Sequence, residues 1–134
     1  MGEEIVFRCP KCGKHVGISQ GAFFRSPSTA EDVLNGEYGK KAADNLRRHP
    51  GHHVFFHYEV FYCRCGVARS KQVMDVYREG VLPWFPSEPP LWSNDRRRCP
   101  KCGRMMRIID HIPDRIRCDG CGHWMEPCNF IMFD

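Results

Sequence analysis

The sequence lacks several features by which proteins are commonly classified. It has no run of about 18 apolar residues, so no helix that crosses a bilayer is predicted. The first residues, Met1-Gly2-Glu3-Glu4, are acidic and precede no apolar run, which disfavours a secretory leader. No catalytic motif stands out. We therefore expect a cytoplasmic protein that is not an enzyme.

A large excess of positive charge is also missing. The formal net charge is +4 when every thiol is neutral. Eight of the cysteines occur in close pairs, and if these bound two zinc ions as thiolates the net charge would fall to about zero. Proteins that bind nucleic acids through phosphates usually keep a positive excess. The composition therefore gives only weak support for a DNA or RNA partner.

What the sequence does contain is cysteine, nine in 134 residues, of which eight form four close pairs. The pairs are Cys9/Cys12, Cys63/Cys65, Cys99/Cys102 and Cys118/Cys121. Each pair is followed at once by a glycine, which allows a tight turn under the second sulfur, where a Cβ would crowd. The odd total and the close spacing disfavour a disulfide framework. Two such turns supply four thiolates, the donor set of a closed tetrahedral zinc site.

The spacing predicts which pairs share a metal ion. Cys99/Cys102 and Cys118/Cys121 are separated by fifteen residues, as expected for a zinc ribbon. Cys9/Cys12 and Cys63/Cys65 are then predicted to form the other site, with His53 or His57 as an alternative to one sulfur. Four thiolates leave no open coordination position, so we expect both zinc ions to be structural.

The predicted fold class is a small α+β, metal-stabilised protein with two zinc-ribbon β lobes. Residues 1–79 form the first lobe, residues 80–95 a connection rich in Pro and aromatic residues, and residues 96–134 a compact C-terminal zinc ribbon. The first lobe carries a helical insertion at about residues 28–49, since Ser28-Thr29-Ala30-Glu31 is a capping box.

Strands are predicted from short apolar or alternating segments. The strongest is His53 to Tyr62, which forms a long hairpin with Val67 to Tyr77 and has its even-numbered residues on the buried face. The other candidates are 5–7, 15–18, 105–109, 115–117 and 123–132.

Several residues are left without a firm role. Cys128 is interpreted as a buried, small apolar side chain, with a reactive thiol or spare ligand as the alternative. His49, His52, His53 and His57 cluster in the sequence. His57 and Glu59 fall on one strand face, as a base and its orienting carboxylate would.

Each cysteine pair with its following glycine is called a knuckle below. Two of them, Cys9-Pro10-Lys11-Cys12-Gly13 and Cys99-Pro100-Lys101-Cys102-Gly103, resemble the knuckles of rubredoxin-like zinc ribbons. The wider pattern includes Phe23-Phe24, Gly36-Glu37-Tyr38-Gly39, Tyr62-Cys63-Arg64-Cys65-Gly66 and Ile131-Met132-Phe133-Asp134. It resembles a group of small, uncharacterised bacterial double zinc-ribbon proteins. The resemblance implies two zinc ribbons in a cytosolic protein and implies no activity.

These observations favour a non-catalytic zinc-binding protein that acts as a macromolecular binding module, with another protein as the favoured partner. The predicted contact residues are Trp84, Phe85, Trp92, Arg96, Arg97 and Arg98. One alternative is a nucleic-acid-binding regulator, because residues 96–134 carry eight basic and five acidic side chains. A further alternative is a rubredoxin-like electron carrier with Fe instead of Zn.

Overall fold

A computed structural model describes residues 2–22, 28–82 and 87–133. Within these residues the chain forms eight strands and two short helices, so the structure is mostly sheet. The elements in chain order are β1 Gly2–Arg8, β2 His15–Ala22, α1 Ser28–Leu34, α2 Lys40–Arg48, β3 His53–Tyr62, β4 Ala68–Tyr77, β5 Trp92–Ser93, β6 Arg107–Ile109, β7 Ile116–Arg117 and β8 Trp124–Phe133.

The strands are hydrogen-bonded in the order β5-β4-β3-β2-β1-β8-β7, and β6 pairs with β3 outside this path. The pairs β1/β2, β1/β8, β3/β6 and β7/β8 are all antiparallel. The longest-range pairing joins β1, at the beginning of the chain, to β8, at its end. No helix in the part that the structure describes has the length and apolar character needed to cross a membrane.

Local sequence patterns located these elements well. The predicted helical insertion contains α1 and α2, and the apolar stripe of Ala42, Ala43 and Leu46 is buried. The predicted hairpin is formed by β3 and β4. Two details differ. Phe61 is buried although it was placed on the opposite face from Val60, because both faces of β3 are covered there. Trp92 and Ser93 form a strand in the Pro-rich connection, where the prolines disfavour regular structure.

The strand pairing does not show two separate zinc-ribbon lobes. In the predicted C-terminal lobe, β8 pairs along its length with β1 and β6 pairs with β3. Both partners belong to the predicted first lobe. The sequence pattern identifies the strands but contains no information on which distant edge each strand pairs with.

The contacts divide the chain into two compact units, each assembled from separate stretches. Unit 1 comprises residues 1–23, 57–73 and 95–134, and unit 2 comprises residues 24–56 and 74–94. All four cysteine pairs lie in unit 1, and both helices lie in unit 2.

Unit 1 contains two buried clusters, and each includes the first cysteine of two pairs. One cluster contains Phe7, Cys9, Val16, Ile18, Val60, Ala68, Ile116, Cys118 and Met125. The other contains Phe61, Cys63, Val67, Val73, Cys99 and Met106. Unit 2 has its own cluster of Val33, Ala42, Leu46, Phe56, Met74 and Val76. The cysteine pairs are therefore built into the cores of unit 1.

Truncation of Phe7 tests the first of these cores. Phe7 is fully buried, so Phe7→Ala should lower the free energy of unfolding by about 3–5 kcal/mol, measured by denaturant titration. Phe130, on the neighbouring β8, is 54% exposed and provides a matched control. Phe130→Ala should cost less than about 1 kcal/mol. Equal losses for the two variants would contradict the assignment of this core.

Candidate metal centres

The eight paired cysteines converge in two groups of four. Site A consists of Cys9, Cys12, Cys118 and Cys121, and site B of Cys63, Cys65, Cys99 and Cys102. Within each site the four Sγ atoms lie within 4.8 Å of one another. The closest Sγ–Sγ distances are 3.3 Å, for Cys9–Cys121 and for Cys63–Cys102. A tetrahedron with metal–sulfur bonds of about 2.3 Å has edges of about 3.8 Å, so each set fits a metal ion.

The predicted grouping of the pairs is wrong. Cys9/Cys12 is joined by Cys118/Cys121, and Cys63/Cys65 is joined by Cys99/Cys102. Each site therefore combines one pair from the predicted first lobe with one from the predicted C-terminal ribbon. The groups found within the described residues contain no histidine, so neither His53 nor His57 replaces a sulfur.

Strand direction explains the grouping at site A. β1 and β7 both pair antiparallel with β8, so they run in the same direction on either side of it. β1 ends at Arg8 and β7 at Arg117. The next residues, Cys9 and Cys118, therefore leave the sheet at the same end.

Site B repeats this arrangement with other strands. β3 pairs antiparallel with β6, and Arg98 forms an antiparallel bridge with Met105, on the stretch that leads into β6. The segment before Cys99 therefore runs parallel to β3, which ends at Tyr62, directly before Cys63. In both sites, a hairpin from the last third of the chain meets a strand end from the first half.

The knuckles have a repeated backbone geometry. In the three C-x-x-C pairs, the N–H of the first cysteine donates to the carbonyl five residues later, at 2.8 Å. The N–H of the following glycine donates back to the first cysteine's carbonyl, at 2.8–3.0 Å. The C-x-C knuckle shortens both spans by one residue, with Cys63 N–H donating to Val67 and Gly66 N–H to Cys63. The shorter motif thus forms an equivalent turn.

The glycines are required mainly by backbone conformation. Gly13 and Gly103 have φ values of +78° and +74°, and nothing lies within 4 Å of an added Cβ. The predicted crowding is therefore not the reason at these two positions. Gly66 differs, since its φ is +95° and an added Cβ would lie 2.6 Å from Cγ of Arg117.

Within each pair the two cysteines differ in exposure. Cys9, Cys63, Cys99 and Cys118 are buried, whereas Cys12 and Cys102 are exposed and Cys65 and Cys121 are half-buried. The first cysteine of each pair follows a strand end or bridge in the core, and the second lies at the turn. Each group therefore has two sulfurs in the core and two nearer the surface.

The sulfur atoms in a site differ in their tendency to ionise. In site A, the backbone N–H of Cys12 stabilises the Cys9 thiolate and lowers the pKa of Cys9 to about 6. The N–H of Lys14 favours the Cys12 thiolate, but the sulfurs of Cys9 and Cys118 prevail and raise the pKa of Cys12 to about 11. In site B, burial raises the pKa of Cys63 to about 12. Four mutually close thiolates thus require a cation to neutralise their repulsion.

A network of ion pairs holds the two knuckles of site A together. Asp119, inside the second knuckle, accepts from Lys14 Nζ at 2.7 Å and pairs with Arg69 Nη2 at 3.0 Å. Lys14 follows the first knuckle and Arg69 lies on β4. The side chains of Arg69 and Asp119 are only 14% and 16% exposed, so this pair is shielded from solvent. Asp119 therefore fixes the orientation of the knuckle that carries Cys118 and Cys121.

Arg117 connects the knuckles of the two sites. Its backbone N–H donates to the carbonyl of Gly66, and its Nη1 donates to the carbonyl of Gly122. Its guanidinium and that of Arg115 lie 4.4 and 4.3 Å from the ring centroid of Trp124. These contacts were missed by sequence reasoning, which interpreted the arginines only as positive charge.

The remaining residues singled out in the sequence lie elsewhere. Cys128 is exposed rather than buried, because the β1/β8 register shifts there and leaves it as a bulge between Pro127 and Asn129. His57 Nδ1 and Glu59 Oε1 are 3.0 Å apart, as their shared strand face predicted. His49 and His52 stack in unit 2, with ring centroids 4.5 Å apart.

Four of the six predicted contact residues fall within the described part of the chain. Trp84 and Phe85 lie outside the described residues. Trp92 is half-buried and packs against the core of unit 2, where Lys41 Nζ lies 5.4 Å from its ring centroid. Arg96 and Arg98 are exposed, and Arg97 is half-buried. Their role in partner binding stays a prediction.

Comparisons with protein-family models, with curated proteins and with solved structures found no match.

Serine substitutions at the less buried cysteines test the grouping. Cys12 and Cys121 share site A, so the double variant C12S/C121S should lose one equivalent of metal and keep the other. C12S/C65S removes one ligand from each site and should lose both equivalents. Metal is measured by elemental analysis after equilibration with a competing chelator. If C12S/C65S instead kept one equivalent and C12S/C121S lost both, the grouping predicted from the sequence spacing would be correct.

Asp119→Ala tests the ion-pair network at site A. Loss of the contacts to Lys14 and Arg69 should lower metal affinity at site A about 10- to 100-fold, with site B unchanged. Affinities are obtained by competition with a chromogenic chelator. Asp110, whose side chain is 98% exposed, pairs with His111, and Asp110→Ala should change neither site. A similar loss in the two variants would exclude a specific role for Asp119.

Proposed function

We propose that this chain is a non-catalytic, zinc-stabilised module that binds another protein. The observation that carries the proposal is that each site consists of four cysteines drawn from two distant parts of the chain. A metal ion there holds strands together, since the cysteines follow the ends of paired strands. Zinc matches this donor set, and four thiolates leave it no open position for substrate.

The separation of the sites from other reactive groups supports a structural role. The groups of possible ligands found in the described residues are entirely cysteine, with no carboxylate or imidazole to transfer a proton. Asp119, the acidic residue inside a knuckle, is engaged by Lys14 and Arg69. The metal ions would therefore supply charge neutralisation and cross-linking.

Protein is favoured over nucleic acid by the surface of unit 1. Large apolar side chains are exposed at Met105, Ile108, Phe130, Ile131 and Met132. Several arginines in the same unit are engaged with protein groups. Arg69 pairs with Asp119, Arg98 donates to the carbonyl of Gly103, and Arg115 and Arg117 stack on Trp124. This leaves fewer cations for phosphates.

Elemental analysis of protein purified without added metal tests the metal assignment. We expect two equivalents of zinc and a colourless protein. When a strong chelator removes the metal, the β-sheet circular dichroism signal of the protein should decrease, because the sheet of unit 1 contains both sites. Readdition of zinc should restore the signal. A red protein with two equivalents of iron and a reversible one-electron couple would instead support the electron carrier. Unchanged circular dichroism after complete metal removal would contradict the structural role.

A further inference from the structure

The C-terminal half of β8 has an edge that no described strand covers. β7 pairs with β8 only at Met125 and Trp124, whereas β1 pairs with the other side of β8 as far as Phe133. Within residues 2–22, 28–82 and 87–133, no further strand pairs with the side that β7 leaves open. An uncovered strand edge presents backbone donors and acceptors to any extended chain that approaches.

A side-chain hydrogen bond shows which backbone groups point outward. The N–H of Phe130 donates to Oδ1 of Asn129 at 2.9 Å, so it is directed away from β1. Because the backbone groups of successive residues alternate in direction along a strand, the N–H and C=O of Met132 also point outward. Those of Ile131 point toward Glu4 on β1. The C=O of Phe130 and the N–H and C=O of Met132 therefore provide the groups to which an added strand would bond.

The side chains around this edge are apolar and exposed on both faces of the strand. Phe130, Ile131 and Met132 are 54%, 41% and 71% exposed. No charged residue occurs between Pro127 and Phe133. Native proteins usually protect edge strands with charges, so a free, uncharged, apolar edge indicates a surface that is covered in use.

The size of the patch indicates what covers it. With roughly 200 Å² for each fully exposed large side chain, the three residues expose about 330 Å² of mainly apolar surface. A stable dimer needs about 800 Å² from each partner, so this patch is too small for a second copy of the chain. It suits a single extended segment.

Charge on the neighbouring strand further restricts the occupant. Glu3 of β1 lies opposite Met132 in the register, whereas the carboxylate of Glu4 lies over Gly17 on β2. A segment added to the other side of β8 would thus have the Glu3 carboxylate one strand away. Lys and Arg have the length to approach it, whereas Asp and Glu would be repelled.

We propose that the free edge of β8 binds an extended segment of another protein, with alternating apolar side chains and Lys or Arg, as an added β-strand. This inference rests on the proposed function and names its partner class. Main-chain hydrogen bonds to Phe130 and Met132 provide the alignment. The exposed faces of Phe130, Ile131 and Met132 provide the apolar contact.

Peptide selection with the metal-loaded, full-length protein tests this proposal. A displayed library of random dodecapeptides should be enriched in sequences that alternate apolar residues with Lys or Arg and lack central Pro. A selected peptide, labelled and measured by fluorescence anisotropy, should bind Met132→Pro at least tenfold more weakly than the wild type. Met132→Leu keeps the N–H and an apolar side chain and should lose no more than about threefold. Met105→Lys alters an exposed apolar residue elsewhere in unit 1 and should bind normally.

The folding of the proline variant is checked independently. Because the N–H of Met132 points away from β1, Met132→Pro should keep both metal ions and the wild-type circular dichroism. If it does not fold, the selected peptide N-methylated on alternate amides replaces it. One of the two methylation patterns should abolish binding to the wild type.

Three results would overturn the proposal. The first is that the library shows no enrichment. The second is that the selected peptide binds the wild type and Met132→Pro equally, or that both methylated peptides bind equally. The third is that the wild type self-associates and Met132→Pro abolishes this self-association. The last result would make a second copy the occupant. Each can occur with both zinc ions in place, so failure here is distinguishable from failure of the metal assignment.

Discussion

The convergence of four cysteine sulfurs at each site is the constraint on which unit 1 depends. Sulfur atoms at this separation cannot all ionise unless a cation neutralises their repulsion, and the neighbouring sulfurs of Cys9 and Cys118 raise the pKa of Cys12 accordingly. The first cysteine of every pair lies in a core cluster. Metal binding at these sulfurs would therefore be coupled to core packing in this unit.

The two sites also close nested loops. The shortest loop closed by site A runs from Cys12 to Cys118, 106 positions, and the shortest closed by site B runs from Cys65 to Cys99, 34 positions. Loop-closure entropy grows only with the logarithm of length, so the longer loop costs about 1 kcal/mol more. Once site B has formed, the loop that site A must close shortens to roughly 70 residues. We therefore expect site B to form first and to favour site A.

Local chemistry was predictable from the sequence, and long-range pairing was not. The knuckle pattern identified the eight cysteines, and the capping and alternation signals located α1, α2, β3 and β4. Of the capping box, the side chains of Ser28, Thr29 and Ala30 are not among those that the structure describes. The grouping failed because proximity along the chain was taken as proximity in space. Cys118 lies nearer to Cys102 than to Cys9 in sequence, but β8, which lies between β1 and β7, brings it to Cys9.

The same strand links the metal centre to the surface that we propose for binding. The first residues of β8, Trp124 and Met125, pair with β7 next to Cys118, and Met125 belongs to the core that contains Cys9. Farther along, a bulge at Cys128 separates this half, which lies next to site A, from the exposed half at Phe130 to Met132. β1 is continuous along both halves and ends at Arg8, directly before Cys9. A metal ion in site A would therefore join the ends of β1 and β7 on either side of β8, and this would fix one end of the strand whose free edge lies at the other.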